Sequence, residues 1–195
     1  MINFLSFKGN RFLLENYIFN IIKKNFFIIF SGGNSNSILL DVFNKKKISN
    51  KKIILSDERV NVDAKNTNLY NLKKCSQVYR YNRIFNINKK ITIPVAPKKK
   101  AAFVGFAKDG HFASFFQNKQ YGVQSYKLYV PVFCKENIYP ERLNLNINFL
   151  TKVDEIYFLK KDKNSHSLKN YKKLLMNDNF IFLKKKFKQI NFLIY

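Results

Sequence analysis

Residues 26–35, Phe-Phe-Ile-Ile-Phe-Ser-Gly-Gly-Asn-Ser, decide how this chain is read. Five apolar residues without polar alternation describe a strand buried on both faces, not one with a wet side. Ser31, Gly32 and Gly33 end the run as a tight turn, and Ser35 to Phe43 then spaces Ile38, Leu39, Val42 and Phe43 as the apolar face of a short helix. A helix start after such a turn offers free backbone N–H groups and the positive end of its dipole to an anion. Two glycines let the backbone approach that anion closely, and Ser35 adds a hydroxyl donor or a helix cap. No Gly-Lys-Ser/Thr follows, so a nucleoside triphosphate is not implied. An ordinary strand-to-helix turn has the same letters, so the stretch needs corroboration elsewhere.

Working outward, Asn10 to Lys23 carries Phe12, Leu13, Tyr17, Ile18, Ile21 and Ile22 near helical spacing. Ile53 to Leu55 is a second buried strand, running into Ser56-Asp57-Glu58-Arg59, and Thr67 to Lys74 reads as helix. A third strand, Ala101 to Gly105, runs into Lys108-Asp109-Gly110-His111. Tyr126 to Phe133 and Val153 to Leu159 are further strands, the second followed by a helix over Ser167 to Met176. Strands alternating with helices predict an α/β protein: an open, mostly parallel sheet with helices on both faces, a three-layer α/β/α sandwich. Neither an internal repeat nor a Pro/Gly/Ser-rich linker divides residues 1–195, so one domain is expected. In a parallel sheet the polar clusters after the three strands share the carboxyl edge, where open α/β sheets hold their ligands.

Composition points two ways. With 36 Lys and Arg against 12 Asp and Glu, the formal net charge is +24, which raises nucleic acid or an anionic membrane as partner. The excess is nearly all Lys, however, in scattered runs such as Lys45–Lys47, Lys98–Lys100 and Lys184–Lys186, and it comes with abundant Asn, Ile, Phe and Tyr. Drift in an AT-rich genome accounts for Lys, Asn, Ile and Phe together, whereas selection for DNA accounts for Lys alone. No specific nucleic acid is therefore expected. The apolar run at 26–30 is too short to span a bilayer and no targeting signal is read, so a cytosolic protein without a membrane partner is expected. Cys75 and Cys134 lie far apart without zinc spacing, and read as small buried or half-buried side chains.

The clusters hold the chemistry. Arg59 presents a planar fork to a phosphate or carboxylate beside the acids Asp57 and Glu58, although a solvated turn with an ion pair has the same composition. His111 follows Asp109 across Gly110, and a carboxylate so placed can fix the imidazole tautomer and raise its basicity for general-base work. No further ligands accompany this pair, so no metal is expected. His166, in Asn164-Ser165-His166-Ser167, reads as a solvated helix start.

In order along the chain, SGGNS (31–35), SDERV (56–60), Thr67-Asn68, GFAKDGHFAS (105–114) and ERLNL (141–145) resemble the signatures of the 6-phosphogluconolactonase family. That family is related to glucosamine-6-phosphate isomerase/deaminase. The resemblance implies a modified Rossmann-like α/β/α fold. It also implies hydrolysis of 6-phospho-D-glucono-1,5-lactone to 6-phospho-D-gluconate in the oxidative pentose phosphate pathway, without cofactor. Gly32, Gly33, Asn34 and Ser35 would cradle the 6-phosphate with help from Arg59, and Arg142 would be a further anion contact. His111 would be the general base and Asp109 its orienting partner, with Asp57 assisting or holding Arg59. Arg59 and the stretch Ala113 to Phe116 follow the lactonases; the deaminases carry Tyr in place of the former and an acidic residue within the latter. A small phosphorylated sugar lactone is the implied partner, and a monomer is expected.

The chain departs from the family pattern in several places. Ala107 replaces a second glycine, so the loop there must avoid positive φ or carry strain. Gln117 stands where a proline is common, and Asn144 replaces a threonine. Against the family pattern the stretch between Asn68 and Gly105 reads as trimmed, and a final helix would be expected after Tyr195. All of this converges on one expectation: that the turn at Gly32 and Gly33, Arg59 and His111 face one pocket.

Overall fold

Phe27, Ile28, Ile29 and Phe30 are all buried in the computed structural model, which describes residues 1–32, 37–75, 78, 82–85, 99–116, 127–161 and 167–195. In chain order the first elements are β1 (Ile2–Ser6), α1 (Arg11–Lys24), β2 (Phe27–Phe30), α2 (Ser37–Lys45), β3 (Lys52–Leu55), β4 (Asp57–Arg59), α3 (Asn68–Lys73) and β5 (Arg83–Phe85). There follow β6 (Lys100–Gly105), β7 (Tyr129–Phe133), β8 (Glu141–Leu145), a single turn α4 (Ile147–Leu150), β9 (Glu155–Lys160), α5 (Ser167–Leu175), α6 (Asp178–Lys186) and β10 (Ile190–Ile194). The main sheet has the order β1-β10-β9-β6-β2-β3-β5, with every neighbouring pair parallel. A second, antiparallel sheet runs β4-β8-β7.

Alternation along the central strands builds the layers. Ile28, Phe30, Ile53, Ala101 and Phe103 point to one face and meet Leu14, Ile18, Ile22, Leu39, Val42 and Phe43 of α1 and α2. Phe27, Ile29, Ala102, Val104 and Phe158 point to the other and meet Ile147, Leu174, Phe180 and Leu183 of α4, α5 and α6. The chain forms a three-layer α/β/α sandwich on a parallel sheet. Helix ends are closed locally: the Asn10 side chain accepts from the Leu13 N–H at 3.0 Å, and the Asn25 carboxamide donates to the Ile21 carbonyl at 2.8 Å. Lysines in the last turns of α1, α2, α3, α5 and α6 meet the negative ends of the helix dipoles.

Several details differ from the sequence expectation. Phe12 and Leu13, counted toward the apolar face of α1, are 69% and 53% exposed. Asp57 to Arg59, read as a polar cluster at a strand end, is itself a strand pairing antiparallel with β8, because its backbone continues the second sheet whatever its side chains are. The strands β1, β5, β8 and β10 and the helices α4 and α6 are additional. Tyr126, Gln117 and His166 lie outside the described residues. Among the described residues no helix is long and apolar enough to cross a membrane.

Candidate active site

The carboxyl ends of β6, β2 and β3 lie side by side, as adjacent parallel strands require. The Ser31 N–H donates to the Phe103 carbonyl at 3.1 Å and the Gly105 N–H to Ser31 Oγ at 2.9 Å, tying the exit of β2 to that of β6. Gly32 comes next, where an added Cβ would overlap the Asn68 carboxamide. That carboxamide, 3% exposed at the residue level, donates from Nδ2 to the Asp57 carbonyl at 3.0 Å, and so joins the β2 turn to β4. Glu58 has a structural job: its carboxylate accepts from the backbone N–H groups of Arg59 (2.8 Å), Asn68 (2.6 Å) and Leu69 (2.7 Å) and closes the start of α3. Burial pushes its carboxyl up, against the pull of those three donors.

Asp57 does not hold Arg59, as the sequence reading allowed; it holds Arg142. Its Oδ2 accepts from Ser114 Oγ at 2.8 Å and from Arg142 Nη1 at 3.4 Å, while Oδ1 accepts from Ser56 Oγ at 3.0 Å. The reason is register: β4 and β8 run antiparallel with Arg59 opposite Arg142 and Asp57 opposite Asn144. Asp57, Arg59 and Arg142 thus share one stretch of sheet, and the Asp57 carboxylate meets the guanidinium from the facing strand rather than that of its own. Arg142 Nη1 also donates to Ser114 Oγ at 3.3 Å and Nε to the Tyr139 carbonyl at 3.2 Å. Arg59 Nη1 donates to the Asn66 carbonyl at 2.7 Å, and its guanidinium lies 4.5 Å from the centroid of the Tyr139 ring.

The loop after β6 carries the histidine. His111 Nδ1 lies 2.7 and 2.8 Å from the two Asp109 oxygens, and the His111 backbone N–H donates to Asp109 Oδ1 at 3.2 Å. A carboxylate on Nδ1 calls for the proton there, which leaves Nε2 as the acceptor. The His111 hydrogen bond holds the Asp109 carboxyl below the usual carboxylate range, against its partial burial. The imidazole packs 4.8 Å from the Phe116 ring, over which the Arg142 guanidinium also lies at 5.9 Å. Gly110 has φ +90°, and a Cβ there would sit 2.6 Å from the Lys173 carbonyl carbon. Ala107 avoids positive φ; the strained position is Ala113, at φ +48°. Buried Asn177 and Asn179, at the start of α6, support the loop from beneath. Asn177 Nδ2 donates to the carbonyls of Gly110 (3.3 Å) and Phe115 (2.9 Å), and Asn179 Nδ2 to that of Phe116 (3.2 Å).

Gly32, Asp57, Arg59, His111 and Arg142 line one cleft of about 490 Å³, with Asp109 behind the imidazole. Lys108, Lys160 and Lys161 add positive charge to its wall. A neighbouring cavity of about 540 Å³ shares Gly32, Arg59 and Asn68 and reaches Ser37 at the start of α2. Gly33, Asn34 and Ser35 lie outside the described residues. Sequence reasoning gave no role to Ser114, Asn68, Phe116, Asn177 or Asn179, although the first two stand inside quoted motifs. Among the described residues no group of three or more His, Cys, Asp or Glu is placed to hold a metal ion.

No family model matches the chain, and no curated protein matches it by sequence. Solved structures do. The 6-phosphogluconolactonase of Thermotoga maritima superposes with a TM-score of 0.74 at 16% identity, covering 100% of this chain and 99% of that one. That of Shewanella baltica gives 0.71 at 16% identity, covering 100% and 98%. A monomeric glucosamine-6-phosphate deaminase gives 0.69 at 12% identity, covering 98% and 96%. Over its whole length, this chain shares the fold of solved 6-phosphogluconolactonases.

Proposed function

We propose that the protein hydrolyses 6-phospho-D-glucono-1,5-lactone to 6-phospho-D-gluconate, with His111 as general base. The observation that carries this reading is the Asp109–His111 pair at 2.7 Å, in a cleft that also holds Arg59 and Arg142; with Nδ1 donating to the carboxylate, Nε2 is the acceptor for the proton of water. The water loses its proton to Nε2 as its oxygen bonds to C1. The carbonyl electron pair moves onto oxygen, and when it returns the C1–O5 bond breaks, with the imidazolium proton going to O5. A positioned base contributes roughly 10² to 10⁴ in rate, enough for an ester that already hydrolyses unaided. Gly32 faces the 6-phosphate, and the part that the motif gives Gly33, Asn34 and Ser35 in holding it belongs to the same proposal. Asp109 orients His111, and Asp57 orients Arg142.

Within this reading the chain acts as one domain and a monomer in the cytosol, and the positive wall of the cleft attracts the phosphorylated substrate. The chemistry calls for no metal or cofactor, since water is the nucleophile and imidazole the base. Proton release from freshly made lactone, followed in a pH-stat, should exceed the spontaneous rate and fall at least about tenfold in His111→Ala. Equal rates for the two proteins would end the proposal. The fold is shared with a deaminase, but Phe115 and Phe116 fill the stretch after Ser114 where those enzymes carry an acid. Ammonia release from glucosamine 6-phosphate, expected to be absent, decides between the two.

A further inference from the structure

The two arginines of the cleft differ in how much charge they keep. Arg142 Nη1 lies 3.4 Å from Asp57 Oδ2 in an ion pair whose side chains are 11% and 4% exposed. At that burial its own carboxylate largely cancels its charge before any ligand arrives. Arg59 follows an acid in the chain, but the Glu58 carboxylate is committed to three backbone N–H groups. The Arg59 guanidinium donates instead to a neutral carbonyl and lies against the Tyr139 ring, so among the described residues no carboxylate pairs with its charge.

Position follows the same division. Arg59 lines both cavities, and the first of them opens on Gly32 and on Ser37, where the nine-residue α2 begins. Arg142 lines the cleft that contains His111 and not the neighbouring cavity. A phosphate dianion is best held by uncompensated charge together with a helix start. A reacting acyl carbon needs a donor held rigidly where negative charge develops only in the transition state. Arg142 meets that need: Nη1 is fixed by Asp57 and Ser114 and Nε by the Tyr139 carbonyl, while Nη2 makes no hydrogen bond among the described residues.

We infer that Arg59 anchors the 6-phosphate and that Arg142 stabilises the oxyanion at C1, with Ser114 and Asp57 as positioning residues for Arg142. The substrate then lies with its phosphate toward Gly32 and its lactone carbonyl toward His111. As water adds to C1, Nη2 donates to the carbonyl oxygen while charge builds there, and Arg142 keeps its proton throughout. The oxyanion half rests on the hydrolase reading; the phosphate half does not.

Calorimetric titration with inorganic phosphate and steady-state hydrolysis, run on the wild type and on Arg59→Ala and Arg142→Gln, test the division. Thermal melts show whether each variant folds. Arg142→Gln keeps an amide donor beside Asp57, and Asp57→Asn/Arg142→Gln replaces it if the buried carboxylate prevents folding. Arg59→Ala should weaken phosphate binding and raise KM, each by about tenfold or more, with kcat within about threefold of wild type. Arg142→Gln should leave phosphate affinity within about threefold and lower kcat about 10²-fold. Ser114→Ala should lower kcat less, with KM unmoved. Equal loss of phosphate affinity in the two arginine variants, or an Arg142→Gln defect confined to KM, overturns the assignment. If the wild type hydrolyses no lactone, the hydrolase reading and the oxyanion role fail together, while the phosphate titration alone still decides which arginine is the anchor.

Discussion

Gly32 and Gly110 sit in the two regions that make the cleft, and neither has room for a Cβ, for opposite reasons. At Gly32 the obstacle is a side chain, the Asn68 carboxamide. At Gly110 it is main chain: the Lys173 carbonyl carbon and oxygen and the Leu174 nitrogen lie 2.6 to 2.8 Å from where the Cβ would be, and φ is +90°. The strand-edge region around Gly32 is therefore closed by a group that can rotate or be removed. The histidine loop is clamped against the backbone of α5 and pinned by asparagines of α6, which have no such freedom. The proposed division of function follows the same line: in that reading the adjustable region faces the phosphate, and the clamped region holds the base.

The sharpest break is Gly110→Ala. The left-handed backbone and the overlap with α5 together should cost about 3 kcal/mol or more, because moving the loop also strains the Asn177 hydrogen bonds. Urea unfolding measures it. A loss under about 1 kcal/mol would mean that the α5 backbone does not fix the loop.

Gly32→Ala should cost less, about 1–2 kcal/mol, and the cost should depend on Asn68. In Asn68→Ala the obstructing amide is gone, so the double variant should lose about 1 kcal/mol less than the sum of the single losses. Strict additivity would remove the contrast between the two glycines.

How legible each region was follows from the range of its interactions. β2, β3 and β6 read directly because strands covered on both faces are unbroken apolar runs, and the polar letters after them fall on one edge by topology alone. His111 with Asp109 is legible because the pair is local, two residues apart. Ser114 was not, since its hydroxyl meets partners 57 and 28 residues away in the chain. The Asp57–Arg142 contact is hidden for the same reason: of the roles open to Asp57, sequence proximity offers only Arg59 as a partner, whereas antiparallel register supplies Arg142. Asn177 and Asn179 were hidden by composition. In a chain this rich in Asn, drift explains each one, and only burial at 0% exposure with carbonyl partners in the histidine loop singles these two out. β1 and β10 are short runs of mixed letters that pair with each other from opposite ends of the chain, β10 also pairing with β9.

Asn144 gives the smallest effect and the finest test of where the two regions meet. It lies on β8 opposite Asp57, two residues from Arg142 and so on the same face, and it is 0% exposed. Among the described residues neither its Oδ1 nor its Nδ2 has a hydrogen-bond partner, and a buried polar group left unpaired costs about 1–3 kcal/mol. Threonine has similar bulk, a strand-compatible branched Cβ and one hydroxyl in place of a whole carboxamide. Asn144→Thr should therefore raise stability by about 1 kcal/mol, seen as a higher urea midpoint at constant m. Because Asn144 contacts neither His111 nor Arg142 through a hydrogen bond, kcat should not move. A fall in kcat would mean that Asn144 buttresses Arg142 through packing, and would extend the rigid region one residue further along β8.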